Sequence, residues 1–307
     1  MAKRNGSGNH GCLYYLIGWP LAIILGLAAL MLLKELVVTF WWQILLVVAV
    51  ILLIVFWVRS AKRKKLAAEA AEEQRRIAEA DAARAERAAA FRRILDGIPE
   101  APILPDLSVT KTGKLPLYDM PDYTISNITQ RTNTSKIRSF VVIDTETNGV
   151  NIQGGRILEL SAIRFEDFHP VAAWSTLVNP CAPIPADASA INHITDDMVK
   201  DAPLLGQVTE DFLRFVGNSP IVGYNVSFDL RFLYARGVDL LQEKRKVFDA
   251  YALSRKVFSG ELNRFRLTDV AEHCGFCCDD AHRALADCLM TGMVFRRCVL
   301  NITGESE

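Results

Sequence analysis

Net charge is absent from this chain: Lys plus Arg number 35 and Asp plus Glu number 35 among 307 residues. A basic field over the whole molecule is therefore excluded, although a local one is not. Charge is also nearly missing from the first 58 residues, then crowds into residues 59–95 together with alanine. Cysteines number only seven, an odd count, at positions 12, 181, 274, 277, 278, 288 and 298. That is too few for a disulfide-stapled secreted domain of this size and fits reduced thiols in the cytosol. Cys274-x-x-Cys277 beside His273 and His282 is a single ligand pair, whereas a closed zinc site usually shows two. Buried structural thiols are the better reading. No internal repeat is present, and the length suits one to three domains.

The long apolar runs come first. Leu13–Leu33 and Leu36–Val58 hold 21 and 23 residues without a formal charge. Each is long enough to cross a hydrocarbon core of about 30 Å as a helix. Trp19, Trp41, Trp42 and Trp57 lie towards the run ends, where amphipathic rings prefer the interface. A cleaved signal peptide would have a shorter apolar part and no second run. Only Lys34 and Glu35 separate the runs, so the reading is a tight membrane hairpin with Lys34 snorkelling. Lys3 and Arg4 precede it; Arg59, Lys62, Arg63, Lys64 and Lys65 follow it. The positive-inside rule then places both flanks, and all that follows, in the cytoplasm, at a bacterial inner membrane.

Residues 61–96 are rich in Ala, Glu, Arg, Lys and Leu, all good helix formers, with charges spaced for i,i+3 and i,i+4 pairs. Large apolar residues are too sparse for a sustained heptad seam. A solvated helical stalk is expected, with a weak coiled-coil dimer as the alternative. The basic start of the stalk has two readings, contact with anionic lipid or simple solvation. Gly97 and Pro99 stop the helix. Residues 97–137, with five prolines, read as a linker or loosely packed extension from which Leu115, Leu117, Tyr118, Met120 and Tyr123 are able to dock.

From Ser139 the texture becomes globular. Phe140–Ile143 is a buried-strand pattern that runs into Asp144-Thr-Glu146. In a strand, residues i and i+2 share a face, so Asp144 and Glu146 project together. Hard divalent cations take oxygen ligands arranged this way. Arg156–Phe165 and Val171–Asn179 complete an antiparallel meander. Thr195–Val199 and Gly206–Phe215 read as helices and Pro220–Gly223 as a short strand. Asp229 follows among Phe228, Leu230, Phe232 and Leu233. A carboxylate so flanked needs a partner: a metal, a helix cap, or Arg231 or Arg236. His282 and Asp287 are five apart and do not share a helical face. His282 on a loop or first turn, with Asp287 inside the helix that runs to about Leu300, leaves the imidazole free to serve as a general base.

Taken together, Asp144-x-Glu146, Asn225-x-x-Phe228-Asp229 and His282-x-Ala284-x-x-Asp287 resemble the DEDDh exonuclease superfamily, in order, over about 150 residues. Within it, the match is similar to the proofreading epsilon-type exonuclease of bacterial DNA polymerase III. Leu177–Pro180 with Ile184-Pro185, Phe248–Arg255 and Leu267–Gly275 extend the likeness. Ile191–Thr195 looks like the family's nucleotide-contacting loop, with His193 where a glycine is usual.

The resemblance implies an α/β, ribonuclease H-like core, a mixed sheet flanked by helices. It also implies 3′–5′ hydrolysis of phosphodiesters. Two Mg²⁺ or Mn²⁺ would sit on Asp144, Glu146, Asp229 and Asp287, with His282 as the base. Thr145, Thr147, Ile194 and Asn225 are the candidates for holding the terminal nucleotide. The expected partners are single-stranded nucleic-acid 3′ ends, DNA before RNA, a lipid bilayer, and a polymerase or repair protein. An exoribonuclease and a silent membrane-tethered nucleic-acid-binding module are the alternatives. The expected organisation is a transmembrane hairpin (1–60), a stalk (61–96), a linker (97–137) and an exonuclease domain (138–303).

Overall fold

The computed structural model describes residues 11–109, 112–241, 244–277 and 282–305, with side chains from residue 19. Lys3, Arg4, Cys278, Ala281 and the Cys12 side chain lie outside them. The chain divides into two units, residues 1–79 and 80–307, and each is described by itself.

The first unit is helix α1, Gly11–Asp96, whose last turns belong to the second. Its apolar stretch has a mean hydropathy of 2.8 and no part of it is buried. It is long and apolar enough to cross a membrane by length and composition. The turn expected at Lys34–Glu35 is not formed, and α1 runs through both residues unbroken. The physical reason is local: Lys and Glu are good helix formers, and no Gly, Pro or Asn stands there to release the backbone. Further along, Arg75–Glu79 at 2.8 Å and Lys65–Glu69 at 3.8 Å are solvated i,i+4 pairs. Each contributes a few tenths of a kcal/mol, about 0.3–0.5.

The second unit is built on a five-stranded sheet. In chain order its strands are β1 (Phe140–Thr147), β2 (Ile157–Glu166), β3 (His169–Leu177), β4 (Ile221–Gly223) and β5 (Val247–Asp249). Their spatial order is β3-β2-β1-β4-β5. The first three form the antiparallel meander; β4 and β5 add in parallel. Helices α2 (Ala186–Asn192), α3 (Asp196–Val199), α4 (Leu205–Val216) and α5 (Ser227–Tyr234) lie between β3 and β5 in the chain. Helices α6 (Ala250–Phe258), α7 (Leu267–His273) and α8 (Ala284–Thr303) follow β5.

The period-2 pattern of β1 divides the core. Val141 and Ile143 face one layer with Phe212, Leu230 and Phe232 of α4 and α5. Phe140 and Val142 face the other, with Phe295 and Val299 of α8. Gly292 sets how closely α8 approaches the sheet, since a Cβ there would lie 2.2 Å from Phe165 Cζ.

The described residues of 97–137 are attached to the sheet at two points. Ala101 N–H donates to Ala173 O on the outer edge of β3, and Ser126 N–H donates to Val247 O on the outer edge of β5. Each outer strand thus gains one isolated bridge, which shortens its unpaired edge. Ile128 and Ile137 are fully buried. Met120 and Tyr123 pack on the α4–α5 layer, whereas Tyr118 is exposed. The last turns of α1 depart from a fully solvated stalk: Phe91, with Ile98 beyond the helix end, lies in the α8 layer. Gly97 closes α1, its N–H donating to Arg93 O at 3.1 Å.

Candidate active site

Asp144 and Glu146 lie on β1 with the parity of Val142 and so face α8. Asp287, in the first turn of α8, comes down on them. One carboxylate oxygen from each of the three lies within 4.8 Å of the others. A register shift between Glu146 and Thr147 ends the regular ladder beside these acids. Such an all-oxygen donor set is what a hard divalent cation requires. Among the described residues, this is the one group of three metal-ligand side chains brought so close.

Asp229 comes from α5. It is buried and accepts a hydrogen bond from Thr145 Oγ1 at 2.7 Å. It stands outside the tight trio, yet its charge is felt by Asp144. Neither arginine named as a possible partner binds it. Arg236 donates to Gly155 O, and the hydroxyl of Thr145 takes the partner's role.

Burial is the first cause of perturbed acidity here. It pushes Asp144 well above the usual carboxylate range, reinforced by Asp229, Asp287, Glu146 and Glu159. Glu146 rises to about 9 through burial and then Asp287, opposed by Arg283. Asp229 and Asp287 each rise to about 7 through burial, opposed by hydrogen bonds from Thr145 and from the His282 backbone. Four carboxylates crowded in low dielectric cannot all ionise without a compensating positive charge. The donor set therefore fits divalent cations.

His282 is exposed, two residues before α8, with a left-handed φ of 69°. Its backbone N–H faces Asp287 Oδ1 at 3.4 Å, and among the described residues its ring makes no hydrogen bond or ion pair. The nucleotide-holding candidates diverge. Asn225 is exposed at φ 60°, its N–H donating to Asp249 Oδ1 at 3.0 Å. Thr147 spends its hydroxyl on Gly149 O. Thr145 is buried against Asp229 and positions that acid. The side chain of Ile194 is wholly buried with Leu158 and Val199, which leaves its backbone as the part able to meet a nucleotide. His193 adopts φ 58°, the left-handed geometry that a glycine takes readily.

Three site residues were not singled out from the sequence. Glu159 on β2 stands opposite Glu146 in register and is buried. It accepts both Arg283 Nη2 at 2.9 Å and Nε at 3.1 Å, and also the Ala284 N–H at 3.1 Å. It thus fixes the start of α8 between His282 and Asp287. The available signal was a lone acid inside the apolar run Ile157-Leu-Glu-Leu. Asn192 donates to Thr147 O and accepts from Ile194 N–H, joining the α2–α3 loop to the end of β1. Asp249 caps α6 through Tyr251 N–H while holding Asn225.

The family model described as Exonuclease matches residues 141–295. A DNA polymerase III subunit epsilon of Treponema pallidum is 38% identical over 153 residues, covering 48% of this chain and 71% of that protein. The corresponding subunit of Aquifex aeolicus is 33% identical over 159 residues, covering 51% and 78%. This chain belongs to the exonuclease family. It is a metal-dependent 3′–5′ exonuclease. A solved exonuclease X bound to 5′-overhanging duplex DNA is 28% identical, with 54% of this chain and 94% of that one covered at a TM-score of 0.43.

Proposed function

We propose that this exonuclease hydrolyses DNA from single-stranded 3′ ends with two Mg²⁺ or Mn²⁺, anchored to a membrane by α1. The convergence of Asp144, Glu146 and Asp287 within 4.8 Å carries the chemistry. Asp144, Glu146 and Asp287 would hold one cation and, with Asp229, a second. Bound there, the cations supply Lewis-acid stabilisation of phosphoryl charge and a more acidic water. The residues of the chain do the rest. His282 takes the proton of the attacking water as the new P–O bond forms. The bond to the 3′ oxygen of the shortened strand breaks, that oxygen takes a proton from solvent, and a nucleoside 5′-monophosphate is released. Glu159 and Arg283 hold the His282–Asp287 segment in register with β1. Asn225, exposed and four residues before Asp229, meets the terminal nucleotide.

The relatives named as subunits of DNA polymerase III favour DNA over RNA and a polymerase or repair partner. The exposed apolar stretch of α1 supports the anchor. With a break at Lys34–Glu35 it would form the two-span hairpin with a cytoplasmic enzyme domain. Self-association through the stalk has no such support.

The test uses the full chain in uncharged detergent with 5′-labelled single-stranded DNA and RNA and Mg²⁺. A ladder shortening from the 3′ end of DNA, lost in Asp144→Ala and in EDTA, is expected. Shortening of RNA alone would replace the DNA reading with the exoribonuclease. Binding without cleavage would replace it with the silent tether.

A further inference from the structure

A second feature takes no part in the chemistry above. Residues 255–266 carry Arg255, Lys256, Arg264 and Arg266 against the single acid Glu261, in a chain of zero net charge. Arg255, Arg264 and Arg266 line one solvent-open cavity of about 750 Å³ together with Tyr251, Asn263 and Phe265. Tyr251 and Arg255 are i and i+4 on α6 and so share a face; the guanidinium lies 5.8 Å from the ring centre. Arg266 is held by Asp269 at 2.8 Å. Among the described residues, Arg255 and Arg264 form no ion pair within 4 Å of a carboxylate, although the charge of Arg264 helps to hold Asp269 below the usual carboxylate range.

The cavity is tied to the reaction site by direct contacts. Tyr224 precedes Asn225, and its hydroxyl donates to Phe265 O at 2.7 Å. The Tyr224 ring meets Tyr251 edge-on at 5.7 Å. Asp249, which holds the Asn225 N–H, also caps the helix that presents Tyr251 and Arg255. A strand whose last nucleotide sits at Asn225 thus has this cavity as its neighbour.

We propose that this cavity seats the single-stranded nucleic-acid backbone behind the terminal nucleotide. Arg255 and Arg264 engage phosphates, and Tyr251 offers a face to a base. Guanidinium groups interleaved with aromatic rings are the chemistry that holds unpaired strands without reading their sequence. The inference rests on the exonuclease reading and adds to it a binding site outside the acid cluster.

The test measures binding of fluorescein-labelled oligothymidylate by anisotropy. It uses the full chain in uncharged detergent, with Ca²⁺ replacing Mg²⁺, across a range of salt. For single strands each phosphate contact contributes about 0.7 to the slope of log K against log salt. Arg255→Ala and Arg264→Ala are each expected to lower the slope by about 0.7 and raise Kd several-fold, with the double variant lowering it by about 1.4. Arg264→Lys retains the slope. Arg214→Ala, an exposed charge on α4 paired with Glu210 and Asp211, leaves it unchanged. Slopes equal to the parent's in the two arginine variants, or an equal fall in Arg214→Ala, overturn the proposal while leaving the exonuclease reading standing. A parent chain that binds no strand overturns both.

Discussion

Glu159 has the most to lose at the scale of single residues, because one buried carboxylate holds Arg283 twice and the first free N–H of α8. Removing its charge loosens the segment that carries His282 and Asp287. Groups that orient ligands in this way typically affect activity about 10–100-fold. Glu159→Gln is expected to lower kcat by that factor with little change in KM for an oligonucleotide, checked by steady-state kinetics. An unchanged kcat would deny the positioning role. Thr145→Val removes the hydroxyl donor from buried Asp229 and should cost about 1.5–3 kcal/mol, read from denaturant unfolding. The acids also predict a pH dependence. Raised carboxylate pKa values mean that the folded, metal-free chain binds more protons than the unfolded one. Its stability must then fall as pH rises from the ordinary carboxylate range through about 7 for Asp229 and Asp287 and about 9 for Glu146. The Tm in EDTA is expected to be lower at alkaline than at mildly acidic pH, and Mg²⁺ is expected to restore it most at the alkaline end. A Tm that rises with pH in EDTA would contradict this.

Among the elements, α8 does most to assemble the site, and its seat depends on Gly292. A Cβ at 2.2 Å from the Phe165 ring would push α8 off β2 and carry Asp287 with it. Gly292→Ala should cost about 1–3 kcal/mol and lower activity together with Mg²⁺ affinity. Full retention of both would mean that the helix has slack. Phe91→Ala, in the last turns of α1, should destabilise the enzyme domain by about 3–5 kcal/mol, since that ring is buried in the α8 layer. This contact was not legible in the sequence, because Phe91, Ile94 and Leu95 lack a heptad and look like isolated apolar residues on a charged helix. The acids were legible, since a D-x-E at a strand end has a fixed period-2 geometry. The role of Thr145 was not: its partner lies 84 residues away on α5, and no local pattern announces that hydrogen bond. The burial of Ile194 is not legible locally for a like reason, as its neighbour Leu158 comes from a distant strand. The break expected at Lys34–Glu35 came from membrane geometry, whereas the local helix propensity of those two residues points the other way.

The whole molecule joins an apolar helix to an enzyme domain. Most of the large side chains from Trp19 to Val58 are exposed along α1, far more apolar surface than a soluble monomer presents. The intact chain is expected to resist alkaline carbonate extraction from membranes, and recovery in the soluble fraction would remove the anchor from the account. The central claim, however, is catalytic. It is that the acids of β1, α5 and α8 drive attack of water on the phosphodiester at a strand's 3′ end. The most direct measurement runs the reaction in ¹⁸O-labelled water with Mg²⁺ and a 3′-terminal single strand. Mass spectrometry then reads the released mononucleotide for the parent and Asp144→Asn side by side. The account predicts nucleoside 5′-monophosphate carrying one solvent oxygen from the parent and almost none from the variant. Equal release by the two proteins, or a product phosphorylated on its 3′ oxygen, would contradict it.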